Sequence, residues 1–195
     1  MPAYTMRSVA HHIARAFGKD PAQRQQVERF LNDRETAHID IMTCPDTPYS
    51  GFASLSTMGL SGHDIGIFTG KGKPVRIELT AVCWNEQLDI FKGFLITSSF
   101  GIIDTHYDIY LHIIYPDIVP LYVRDSAMRH ILFAEPFAWE LEEQKMDDCL
   151  VAFLSPIPIS DAEKEFILSH GADEFLDALE EAEADVGNIY RKSIY

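Results

Sequence analysis

The sequence predicts an α+β fold: a mixed, largely antiparallel central sheet flanked by N-terminal and C-terminal helices. Three observations predict it. In Val75–Cys83, the side chains of Val75, Ile77, Leu79, Ala81 and Cys83 fall on one side of a period-two pattern, and Arg76, Glu78 and Thr80 fall on the other. Further short runs rich in Ile, Val and Thr surround it, separated by glycine and proline. Apolar residues at helical spacing occur only near the two ends and in one central stretch.

Taken in order, Tyr4 to Phe17 reads as a first helix, with Val9, Ile13, Ala16 and Phe17 on one face and Gly18 as its stop. Asp20, Pro21 and Gln23 form the opening of a second helix, with Val27, Phe30 and Leu31 as its buried stripe. Extended structure begins at Ala37–Met42. Thr43 to Gly51 is a turn, and Phe52–Met58, Ile65–Thr69 and Val75–Cys83 continue the sheet. Arg76, Glu78 and Thr80 are expected to face water.

Asn85 is expected to cap a helix carrying Leu88, Phe91, Phe94 and Leu95. Ile109–Tyr115, Ile118–Val123 and His130–Phe133 read as strands. Cys149–Leu154 is apolar enough for a central strand, and Pro156 and Pro158 are expected to end it. Ser160-Asp161-Ala162-Glu163 is a capping box for a helix that Gly171 terminates. Ala172, Phe175, Leu176, Leu179 and Ala182 form the stripe of a last helix. The expected organisation is a single domain over 1–195, with a helix pair over 1–35, a sheet-rich body over 37–155 and acidic helices over 160–186.

The formal charge is −14, and residues 135–185 alone carry −14. That run is either the solvated face of two helices or a surface that steers a basic partner. Nucleic acid is an unfavourable partner, since its phosphates would be repelled. No window approaches the eighteen apolar residues of a membrane span. Cys44, Cys83 and Cys149 are odd in number and widely spaced, which favours a reducing compartment, and the expected location is cytoplasmic.

Catalytic and metal-ligand motifs are missing: there is no C-x-x-C, H-E-x-x-H or G-x-S-x-G. Gly70-Lys71-Gly72-Lys73 lacks the spacing of a phosphate loop and reads as a hairpin turn. The densest polar cluster is Asp104-Thr105-His106-Tyr107-Asp108. It is either half of an acid–base or metal site or a connection whose aspartates cap turns.

Three blocks together carry a resemblance. Ser54-Leu55-Ser56-Thr57-Met58-Gly59-Leu60-Ser61-Gly62-His63 resembles the ST-x-G-L-S-x-H block of the suppressor of fused family. Val75–Cys83 is similar to that family's R-x-E-L strand, and His130–Phe137 followed by Phe153–Ser160 is similar to its ending. The likeness spans about Phe52 to Asp185.

The resemblance implies a non-enzymatic protein-binding domain without cofactor or metal. It is closest to the single-domain bacterial type, whose members are thought to be immunity proteins of polymorphic toxin systems. The expected partner is another protein, such as a basic toxin domain, or a peptide. An adaptor that binds an extended peptide, as animal suppressor of fused does, is the alternative. The family's peptide site maps near Asp104 and His106, so Asp104, His106, Asp108 and Tyr110 are the candidate partner-binding residues. An enzyme built on Asp104, His106, Asp108 and His63 is a third reading, and it requires those side chains to converge.

Overall fold

The computed structural model describes residues 4–18 and 26–195. In chain order its elements are α1 (Met6–Ala16), β1 (Gln26–Leu31), β2 (His38–Pro45), β3 (Phe52–Met58), β4 (Val75–Trp84), α2 (Leu88–Thr105), β5 (Ile114–Tyr115), β6 (His130–Ala134), β7 (Gln144–Lys145), β8 (Leu150–Ile159), α3 (Asp161–His170) and α4 (Ala172–Glu181). The strands form one sheet in the order β1-β2-β3-β4-β8-β6-β5, and β7 pairs with β8 beside this path. Only β4 and β8 run parallel among the described strands. The expected mixed, largely antiparallel sheet is therefore present.

Three apolar clusters hold the layers together. On one face of the sheet, Phe91, Phe94, Leu95 and Ile102 of α2 pack on Leu55, Leu79, Ala81 and Cys83. On the other face, Val9, Ile13 and Phe17 of the α1 segment meet Met42, Met58, Val151 and Phe153. Further along, α3 and α4 bring Ile167, Phe175 and Leu179 onto Leu132, Ile157 and Ile159. Each such side chain contributes about 1.5–3 kcal/mol on burial, before conformational entropy is subtracted.

A sheet covered on both faces explains one correction. Glu78 and Thr80 do not face water; both are fully buried. Alternation reports two faces, and here the second is covered by α1 and its cluster. Glu78 is held by donors alone. Thr57 Oγ1 donates to it at 2.6 Å, Gly59 N at 2.9 Å, Ser61 N at 3.1 Å and Ser61 Oγ at 2.5 Å. Gly59 adopts φ +107°, which only glycine takes readily, and so aims its N–H at the carboxylate. Burial pushes the Glu78 carboxyl above its usual range, and the hydrogen bonds pull it part of the way back.

Other expectations give way to pairing between distant segments. The second predicted helix is partly outside the described residues, and its remainder, Gln26–Leu31, is strand β1. Six positions of β1 pair with β2, and Val27 and Leu31 stand about half exposed instead of forming a buried stripe. Strand β2 continues through Thr43 to Pro45, because β3 pairs with it that far. Ile65–Thr69 makes a single bridge, Phe68 to Pro74.

Asn85 does not cap α2. It opens a 3-10 turn, Asn85–Gln87, and α2 begins after it without a side-chain cap. Of Ile109–Tyr115 only two residues are strand, and Ile118–Val123 contains the 3-10 turn Val119–Leu121. Ala182 lies past the end of α4 and is exposed.

The capping box is present, with Ser160 and Glu163 bonded reciprocally, and Gly171 ends α3. Pro156 and Pro158, however, do not end β8. Residues 150–154 pair with β4, and 155–159 pair with β6. Lacking N–H groups, both prolines fit the positions of that ladder whose backbone groups point away from β6. The Pro158 carbonyl is taken instead by Arg191 Nη2 at 2.9 Å. Arg191 also bonds the fully buried Glu163, at 2.6 Å from Nη1 and 2.8 Å from Nη2, so the C-terminal segment is tied to the start of α3.

Candidate protein-binding groove

Helix α2 runs to Thr105, farther than the sequence pattern indicates, and places the polar cluster at its end. Asp104 accepts a hydrogen bond from Asn32 Nδ2 at 2.8 Å. Asn32 is buried, and its Oδ1 accepts from Thr36 N and Ala37 N in the turn between β1 and β2. Asp104 thus braces that turn. His106 follows as the left-handed residue that ends the helix, at φ 52°, and is exposed. The Asp108 carbonyl accepts from Tyr115 Oη at 2.8 Å, while its side chain faces solvent. Burial, assisted by the Asp108 charge, pushes the Tyr115 hydroxyl well above its usual pKa.

These side chains do not assemble. Among the described residues no hydrogen bond joins Asp104, His106, Asp108 and His63 to one another, and no three His, Cys, Asp or Glu side chains are grouped to hold a metal. Asp104 reaches His63 only through its charge, with no hydrogen bond between the two. Burial lowers the His63 pKa, and its carbonyl accepts from Arg76.

Tyr110 is placed differently. After α2 the chain crosses the sheet as irregular structure, and Ile109, Tyr110 and Leu111 form one wall of a groove of roughly 630 Å³. Val75, Ile77, Ala152 and Leu154 at the paired starts of β4 and β8 give it an apolar floor. Glu135, Glu142, Glu143 and Lys145 stand at its rim. A second groove of roughly 650 Å³ adjoins it, sharing Leu111, Glu135 and Pro136. It runs between Phe137, Ile157 and the α4 side chains Asp173, Leu176 and Glu180. His112 lies 3.7 Å from Asp173.

Of the four predicted residues, then, Tyr110 lines the groove and Asp104, His106 and Asp108 do not. Sequence reasoning missed Glu135, Glu142 and Glu143 as rim residues. Their charge was visible in the acidic run, but their placement around an apolar floor depends on the parallel pairing of β4 with β8.

A family profile described as Suppressor of fused protein (SUFU) matches residues 35–192. The chain belongs to the suppressor of fused family. It is similar to Immunity protein YqcF of Bacillus subtilis (strain 168), with 33% identity over 188 residues that span 95% of each chain. Solved structures share the suppressor of fused fold. A homologue from Neisseria gonorrhoeae FA 1090 superposes with a TM-score of 0.68 at 17% identity, over 96% of this chain and 94% of that one.

A chain of the Sufu–Fu complex crystal structure gives a TM-score of 0.68 at 14% identity, over 99% of this chain and 90% of that chain. Drosophila Suppressor of Fused gives 0.65 at 13% identity, with 97% of this chain covering 49% of that one. No helix among the described residues is long and apolar enough to cross a membrane.

Proposed function

We propose that this chain is an immunity-type binding protein that neutralises a cognate protein toxin of a polymorphic toxin system, in the cytoplasm and without chemistry of its own. The kinship to Immunity protein YqcF carries this reading, because it extends over 95% of both chains. The acidic surface and the exposed apolar side chains beside the grooves support it, because apolar surface rimmed by polar residues marks sites where proteins interact.

The test is to identify the reading frames encoded beside this chain and to co-express the full chain with any of them that is toxic on its own. Restored growth and salt-sensitive co-purification are the expected result. Unrelieved toxicity, with no association at low salt, overturns the reading.

A second reading, an adaptor that holds an extended peptide, is supported by the fold shared with the Sufu–Fu complex and by the short edge strand β5. It predicts binding that is concentrated on short extended segments and changes little with salt.

A further inference from the structure

The two grooves bring carboxylates and exposed apolar side chains together on one concave surface. Around the grooves, carboxylates border apolar side chains that have no cover: Tyr110 is 54% exposed, Phe137 53% and Leu111 40%. Glu135, Glu142, Glu143 and Glu180 form no ion pair among the described residues, and Lys145 is the one lysine or arginine lining the two grooves there.

Anionic partners are disfavoured here by charge, which removes nucleic acid and anionic lipid surfaces. A cationic polypeptide would satisfy both features at once. Its bulky apolar side chain would fill a groove, and its Lys or Arg side chains would meet carboxylates as water leaves the site.

We infer that the twin grooves dock a stretch of the partner protein in which a bulky apolar residue is flanked by lysines or arginines, with Tyr110, Leu111 and Phe137 as the apolar contacts and Glu135, Glu142 and Glu143 as the charged rim. This deepens the proposed function and rests on it for the identity of the partner. The surface and its chemistry are testable separately.

The probe is a short fluorescent peptide that alternates lysine with phenylalanine and leucine, titrated against the full chain by anisotropy. Comparison peptides carry serine in place of the apolar residues or glutamate in place of the lysines. The expected result is that both comparison peptides bind at least about tenfold more weakly, and that E135Q/E142Q/E143Q weakens the lysine–phenylalanine peptide by about the same factor. A charge-matched control, E165Q/D177N/E181Q on exposed positions of α3 and α4, should leave binding unchanged. Leu111→Asp, at a position 40% exposed, should abolish it while circular dichroism stays native.

Equal loss in the control, or equal affinity for the serine peptide, means general charge attraction and overturns the inference. Growth protection then separates the two proposals. A rim variant that still protects as well as wild type sinks the groove and leaves the immunity reading standing. A wild-type chain that binds the peptide at the groove yet ignores the neighbouring toxin sinks the immunity reading alone.

Discussion

Glu78 and Glu163 are both completely buried, but they are kept in the core by different means. Glu163 meets a guanidinium in a two-pronged arrangement, receives Ile194 N at 3.1 Å and reaches back to Ser160 N at 2.9 Å. Glu78 forms no salt bridge among the described residues and relies on two backbone N–H groups and two hydroxyls. The first arrangement closes the C-terminal end of the molecule, while the second shapes the turn between β3 and β4. A buried carboxylate can thus be satisfied by charge or by convergent dipoles, and the two solutions fail differently when disturbed.

The largest failure is expected at the charged pair. Arg191→Ala leaves Glu163 buried without its cation, and should lower unfolding stability by about 3–5 kcal/mol in urea titrations. An intact melting temperature would show that the pair is dispensable. Next, Glu78→Ala removes the acceptor shared by Gly59 and Ser61, and should cost about 1–3 kcal/mol, as water entering the vacated polar space takes up part of the freed donors. Ser160→Ala removes the cap that receives Glu163 N at 3.1 Å together with the 2.7 Å hydroxyl contact to Ser193, and should cost about 1 kcal/mol.

The smallest effect is the pH dependence that Glu78 confers. Folding raises the Glu78 pKa, so the folded chain holds more protons than the unfolded chain between the unfolded and folded values. Its contribution to stability is complete below the unfolded pKa and is lost as pH rises through the folded one. Glu78→Gln should therefore remove part of the decline in stability above the carboxylate range. An identical pH profile in wild type and variant would contradict the raised value.

How much of this was legible beforehand differs by residue. The alternation of Val75–Cys83 identified β4 because period two is a local property, and the Ser160 capping box identified the start of α3 for the same reason. Glu78 was misread because alternation cannot tell a solvated face from a second core. Strand β1 was misread because Val27, Phe30 and Leu31 also fit a helical stripe, and only the partner β2 decides between them. Tyr110 was named only through the family resemblance, as a neighbour of the polar cluster, and Ile109–Tyr115 was expected to be a strand. The rim of Glu135, Glu142 and Glu143 was legible as charge, but its geometry comes from strands far away in sequence.

The prolines of β8 have a consequence for how the chain avoids misassembly. Phe133 faces Pro156 and Ile131 faces Pro158, two apart, so each occupies a position that needs no amide hydrogen. Sliding β8 by one step against β6 would turn both ring nitrogens toward carbonyls expecting a donor and would also exchange the strand's inner and outer faces. The neighbouring misalignment is thus penalised twice by the same two residues. They act as a ratchet on alignment, which leaves the strand at the centre of the molecule little choice about where to stop.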